Sequence, residues 1–481
     1  MLSEYFNKIG ESAFVKRLRG FLDSVWYIVL VAFLMTCANL FSLELIVFYL
    51  YLALGILIVL FDDDLKGIIP IGCCAYMTIS YKNNPAMSIS TSAFYRPAFK
   101  IQLVVLIALA AVALLVRLVS ILVRGEKKKM PSLLLGFVAL GAAFMLGGLF
   151  SEFYGLRTAF FGLVVILSLC AYYFLFYYGV DWKQSGKDYF AQLFLVIGLF
   201  LLVELLGIYV ISGALKNGLT DRAILQTGWG MYNNVGCVLC MCLPAPLYLA
   251  IQRKRGWLYT AVAIVMFGGI ILTQSRGSMI VAAPIAVIGG VLLLVKCRKE
   301  ERLYHLIVVG TAALIGIALM IVFRHAISKL FSDMLGKTFG DDILNERGRV
   351  YKEGMQHFTS HPYFGVGFYQ CTAFRWGELS ADAFLPPRYH NTIVQVLASG
   401  GVFCLVCYLF HRVQTGILLF RRPSLEKTFL ALGIAGFLLT SLTECHFFSF
   451  GPALLYSVLL VCAEGENMKR AAEEKAERKA E

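Results

Sequence analysis

Residues 189–212, YFAQLFLVIGLFLLVELLGIYVIS, decide the fold class, and Glu204 is their one charged residue. A bilayer core about 30 Å thick is spanned by a helix of about 20 apolar residues. Similar runs recur along the whole chain, which has 481 residues, 59% hydrophobic and only 15% charged. Soluble proteins carry about 25% charged residues. The sequence therefore predicts an all-α integral membrane protein.

The apolar runs predict a polytopic bundle of about 12–14 transmembrane helices. We expect one membrane domain at residues 1–463, followed by a charged cytoplasmic tail at residues 464–481 that is helical, frayed and solvated. The runs lie at residues 24–41, 43–61, 65–80, 99–123, 131–150, 157–178, 189–212, 229–251, 257–274, 278–296, 303–323, 391–410, 428–446 and 452–463.

Basic residues lie in short segments between the runs, which is the pattern that sets membrane topology. The formal net charge of +13 is therefore no sign of nucleic-acid binding, and we expect no nucleic-acid partner. With the N-terminus inside, residues 324–390 form a large extracytoplasmic loop. The predicted cytoplasmic basic residues are Arg117, Arg124, Lys127, Lys128, Lys129, Arg253, Lys254, Arg255, Lys296, Arg298, Lys299, Arg302, Arg412, Arg421, Arg422 and Lys427.

Cysteines give no indication of a metal centre. The chain has 13 of them, and most lie inside apolar runs. The CxxC spacings at 237–240 and 404–407 lack a paired histidine cluster, so we interpret them as core packing. We expect no metal and no cofactor.

The long outer loop contains a predicted amphipathic helix that Asn345 caps and that runs to about Phe358. Arg347 and Arg349 lie about 200° apart on this helix, so they cannot point the same way. Either of them could be merely solvated. The helix is expected to lie on the bundle with a charged face toward an aqueous cavity.

Two further outward residues are candidates for chemistry. Arg276 lies in LTQSRGSMIVAAP between two apolar runs, on the side where snorkelling to headgroups is less expected. Its guanidinium suits an anion such as phosphate. His390 precedes the twelfth run, where an imidazole can take a proton near neutral pH. A single histidine there is also compatible with a simple interface role.

Four motifs follow one another on the predicted outer side: WGMYNN (229–234), TQSRGS (273–278), GRVYKEGM with HPYFGVGF (348–368), and HN before a span with a Gly-Gly break (390–401). Their order resembles the O-antigen ligase and O-antigen polymerase superfamily. The resemblance covers residues 229–401, about half of the chain.

This resemblance implies a GT-C-like membrane glycosyltransferase in the bacterial cytoplasmic membrane, with its active site facing outward. Such enzymes move a glycan from an undecaprenyl-diphosphate donor to a glycan or lipid-glycan acceptor, with inversion and without a metal. By residue match, Arg276 and Arg349 would bind the diphosphate, and His390 would deprotonate the acceptor hydroxyl. Arg222 and Arg388 are further possible substrate contacts.

Other classes remain open at this point. A transporter of lipid-linked oligosaccharide is the main alternative, but it should show charges near the midplane and repeated halves. A scaffold membrane protein would not need the long outer loop, and a peptidoglycan-type polymerase would need an acidic catalytic residue. Glu444 and His446 are ionisable residues at the outer end of a span and are secondary candidates. Ligase and polymerase cannot be separated.

Overall fold

The computed structural model describes residues 13–61, 65–79, 97–124, 129–152, 154–182, 188–213, 225, 228, 230–322, 324, 341–368 and 389–480. Every secondary-structure element of several residues in these ranges is a helix, so the predicted all-α fold is confirmed. The α-helices are α1 (Ala13–Leu22), α2 (Val25–Phe41), α3 (Glu44–Phe61), α4 (Ile68–Ile79), α5 (Pro97–Arg124), α6 (Leu134–Leu146), α7 (Leu156–Gly179), α8 (Tyr189–Ile211), α9 (Tyr232–Cys242), α10 (Pro244–Gln252), α11 (Trp257–Leu272), α12 (Arg276–Lys296), α13 (Arg302–Val322), α14 (Asp341–Ser360), α15 (Thr392–Phe420), α16 (Leu425–Thr440) and α17 (Phe450–Ala480).

The chain is a polytopic membrane protein, and its helices differ in length. Seven are long and apolar enough to cross a membrane, or eight if the bent pair α1 and α2 counts as one span, among the residues described. All fourteen predicted runs contain helix. Four of these helices are apolar but shorter. One of them, Trp257–Leu272, has 16 residues and rises only about 24 Å, which is less than the thickness of the bilayer core.

Burial separates the central helices from the peripheral ones. The span Tyr232–Gln252, made of α9 and α10, is 89% buried, whereas Val104–Val123 of α5 is 0% and α13 is 6% buried. Both peripheral helices are strongly apolar and exposed along most of their length. Their exposed faces are therefore suited to contact with lipid. The core around α9 and α10 is completed by α8, α11, α12, α16 and α17.

Helix α15 is broken at Gly401, whose φ of 63° lies in the left-handed region. A break inside a membrane bundle exposes backbone groups that need partners. The segment HPYFGVGF at 361–368 supplies them: Val366 N donates to Ala398 O and Val402 N donates to Pro362 O. The HPYFGVGF motif and the Gly-Gly break are therefore two parts of one structural element.

Some residues assigned to cytoplasmic loops lie inside helices instead. Arg412 lies within α15, with its guanidinium carbon 4.8 Å from the ring centres of Tyr408 and Phe447. Lys427 is 1% exposed, and Arg117 lies within α5. These three cations therefore do not support the predicted topology, because aromatic rings and backbone carbonyls stabilise cations within a bundle as well.

Two predicted boundaries also differ from the structure. Helix α14 begins at Asp341, before the predicted cap at Asn345, since no proline interrupts residues 341–360. The tail continues α17 without a break, and its first turn is packed rather than solvated. There Glu464 is buried and accepts a hydrogen bond from Ser132 Oγ over 2.7 Å.

Candidate active site

The segment at residues 441–449, which we name the α16–α17 turn, is attached to the start of α15. Thr392 N donates to a carbonyl of this turn over 3.0 Å. Asn391 Nδ2 donates to Leu442 O over 2.9 Å. Together these two bonds fix His390, which immediately precedes them, beside the turn.

His390 and Glu444 form a close polar pair, with 2.6 Å between Nδ1 and Oε1. The second carboxylate oxygen of Glu444 accepts from Asn233 Nδ2 over 2.8 Å. Asn233 lies in the first turn of α9, and its Oδ1 accepts from Ser275 Oγ, at the start of α12, over 2.9 Å. One chain of hydrogen bonds therefore joins α9, α12, the α16–α17 turn and His390.

The environment of Glu444 keeps it ionised. Its side chain is only 8% exposed, and burial raises the pKa of a carboxyl group. The hydrogen bond and charge of His390, followed by the charges of His446 and Arg347, outweigh burial and lower the pKa of Glu444 to about 2. Because an ionised carboxylate can only accept, His390 Nδ1 carries a proton, and in a neutral ring Nε2 is then free to act as a base.

Two arginines are carried to the same turn. Arg347 of α14 donates from Nη1 to Thr443 O over 3.3 Å. Gly277 packs directly against the side chain of Thr443, and this places the neighbouring Arg276, half-buried, at the turn as well. Arg276 is also the first residue of α12, where backbone N–H groups and the helix dipole favour anions.

Among the other predicted residues, the structure describes only Arg349. Arg349 is exposed, whereas Arg347, two positions earlier, is half-buried, so the two do face different ways as the helical spacing predicts. Arg222 and Arg388 lie outside the described residues. The structure thus places Arg347, and the start of α12 where Arg276 lies, at the turn that holds His390, whereas Arg349 is exposed.

Comparison with known families identifies the region around these residues. Residues 261–409 match the family model of the O-antigen ligase. This segment, which is less than half of the chain, is similar to the O-antigen ligase family. The matched range includes Arg276, Arg347 and His390. A search of curated proteins returns no match.

The candidate site extends beyond the matched range. Asn233 and Glu444 lie on either side of it in the sequence, yet they hold His390 in place. His446, on the same turn, contacts Asn234 with 3.0 Å between Nδ1 and Oδ1. The sequence contains a partial signal for these residues, because Asn233 lies in the WGMYNN motif and Glu444 is an ionisable residue at the end of a span, but no sequence pattern pairs them.

Proposed function

We propose that this protein transfers a glycan from a polyprenyl-diphosphate lipid to an acceptor hydroxyl, with inversion and without a metal ion. The site is proposed to face the outer side of a bacterial cytoplasmic membrane. The observation that carries the proposal is the pairing of His390 with the ionised Glu444. A carboxylate that fixes the tautomer of a half-exposed imidazole is an arrangement that serves general-base catalysis.

In the proposed reaction, His390 Nε2 takes the proton of the acceptor hydroxyl while the acceptor oxygen bonds to the anomeric carbon. The bond from that carbon to the diphosphate oxygen breaks on the opposite face, and its electron pair leaves with the lipid diphosphate. Attack and departure on opposite faces invert the anomeric centre. Glu444 stabilises the imidazolium that forms, and the proton then passes to water.

The leaving diphosphate needs neutralisation of the charge that develops on it, which fixed cations supply effectively away from bulk water. We propose that Arg276 and Arg347 provide it, because Arg347 donates to Thr443 O and Arg276 precedes Gly277, which packs against Thr443. Arg349 remains the alternative second cation on α14. Arg222 and Arg388 remain proposed donor contacts.

Reconstitution tests the reaction. The purified chain is added to membranes of cells that lack it, since these membranes hold both donor and acceptor. We expect the lipid-linked glycan to be consumed, polyprenyl diphosphate to be released, and the new bond to have inverted anomeric configuration by NMR, with or without EDTA. A product of retained configuration, or movement of donor between leaflets without consumption, would contradict the proposal.

Cysteine labelling tests the orientation. In a cysteine-free chain, Ser360→Cys on α14 should react with an impermeant maleimide on intact cells. Lys299→Cys, between α12 and α13, should react only after the cells are permeabilised. The reverse pattern would place the site on the cytoplasmic side.

A further inference from the structure

The helix α14 belongs to the long loop, and it contacts the bundle mainly through α15. One face makes this contact: Val350 of α14 clusters with Tyr389 and Ala398, and Val394 packs against them. This cluster is separate from the main core. The attachment of α14 to the bundle is therefore local, and it lies directly on the segment that contains His390.

Two polar side chains of α14 hold the backbone and neighbour of His390. Tyr351 Oη donates to His390 O over 3.3 Å. His357 Nδ1 lies 2.7 Å from Tyr389 Oη. His390 has φ of 50°, a left-handed conformation that costs energy in a residue other than glycine and persists only where surrounding contacts fix it.

A glycine allows α14 to come this close. A Cβ on Gly354 would lie 2.6 Å from Val394 Cγ1 and 3.0 Å from Tyr389 Cδ1, so a side chain here would force α14 or these two neighbours to shift. Gly348 on the same helix has no atom within 4 Å of such a Cβ among the described residues. The close approach is therefore specific to the part of α14 that lies over Tyr389.

We propose that Tyr351, Gly354 and His357 are positioning residues, and that the docking of α14 holds His390 in the geometry needed for proton transfer. The proposal rests on the proposed role of His390 as the base. Docking of the loop helix then assembles the active site, and an undocked helix leaves His390 misplaced.

The matched pair Gly354→Ala and Gly348→Ala tests the docking. Both changes favour the helix equally by propensity, and only the first creates a clash. With membranes of cells lacking the chain as substrate, Gly354→Ala should lower the transfer rate at least about 10-fold, because misplacement by 1 Å can cost on the order of 10²-fold. Gly348→Ala should stay within twofold. Equal rates in the two variants would overturn the proposal.

Rescue separates positioning from a general structural role. His357→Ala should slow transfer several-fold, and His357→Gln should recover most of the rate, since an amide can still hydrogen-bond Tyr389 Oη. Tyr351→Phe should also slow transfer. If glutamine is as slow as alanine, and Tyr351→Phe equals the parent, the positioning role fails. If Gly354→Ala does not fold, the His357 and Tyr351 variants still test the positioning role.

A parallel His390→Ala variant keeps the two proposals distinguishable. If that variant retains full activity, the base is misassigned and the positioning role falls with it. If it is inactive while Gly354→Ala and Gly348→Ala transfer at the same rate, only the role of α14 is overturned.

Discussion

The two ends of the helical bundle both bury polar side chains, but they satisfy them differently. At the end where α16 begins, Lys427 Nζ donates to Leu418 O and Asn467 Oδ1, each over 2.8 Å, and also to Arg421 O. Three ammonium protons therefore meet three acceptors. This network joins α15, α16 and α17 and leaves no proton of the lysine without an acceptor.

At the end where α16 finishes, only one member of the central pair has partners for all of its hydrogen-bonding atoms. Glu444 is fully engaged by His390 and Asn233. His390 donates through Nδ1 and has no partner at Nε2 among the described residues. A saturated network stabilises helix packing, whereas a network with an unused basic nitrogen beside two arginines can take part in proton transfer and anion binding.

The largest effect should come from removing that unused nitrogen. His390→Ala is expected to lower the rate of glycan transfer by 10²–10⁴-fold, the usual contribution of positioned proton transfer. Donor binding should remain. His390→Gln should be equally slow, because glutamine can hydrogen-bond but is not a base. Near-normal turnover of the glutamine variant would make His390 a residue that only holds the acceptor.

Removing the carboxylate should have the next largest effect. Glu444→Gln is expected to lower the transfer rate about 10²-fold, because an amide neither fixes the imidazole tautomer nor stabilises the imidazolium. Kinetics with purified protein would measure the loss. A rate equal to that of the parent chain would mean that Glu444 serves packing alone.

The pH profile of the same variant sharpens this test. The pKa of Glu444 in the folded chain, about 2, lies below its unfolded value of about 4.3. Its stabilising contribution is therefore present above about pH 4.3 and is lost as the pH falls toward 2. Denaturation of the parent chain should therefore become easier as the pH falls from about 4.3 toward 2, and Glu444→Gln should lack this pH dependence. The same pH dependence in both chains would contradict the pairing.

The two arginines of α14 provide a comparison within one helix. Arg347→Ala should weaken use of the lipid-diphosphate donor about 10–100-fold, since it removes a charged hydrogen-bonding group from the site. Arg349→Ala should have a smaller effect, because the residue is exposed. Arg347→Lys should restore activity only partly, since lysine lacks the planar fork. If Arg349→Ala has the larger effect, Arg349 is the second cation, as the sequence resemblance implies.

The smallest effect on activity is expected from a change at Lys427, at the end of the bundle where α16 begins. Lys427→Leu leaves Arg421 O and Asn467 Oδ1 without the lysine donor, which should lower the free energy of unfolding by about 1–3 kcal/mol. The transfer rate of the folded protein should not change. Lys299→Leu, at an exposed position, is the control for loss of a positive charge. A lower transfer rate in Lys427→Leu at unchanged stability would show that this network also serves catalysis.

The sequence by itself determined the helices and the position of the histidine. Apolar runs such as 189–212 predict helices because backbone groups in lipid must find partners locally, and α-helical bonds do so within the run. His390 and Arg276 each precede an apolar run, so their placement at the end of a span also follows from the local sequence. The basic-loop pattern does not determine where Arg412 lies, because its position among aromatic rings depends on neighbouring helices.

The tertiary structure decided which polar groups meet. His390 and Glu444 are separated by 54 positions, and Asn233 and Glu444 by 211. No local pattern pairs residues so far apart, because the pairing depends on how α9, α15 and α16 pack. The same holds for Arg347 and Arg349. Helical spacing shows that they point differently, but only the packing of α14 on α15 determines that Arg347 is the one that reaches the site.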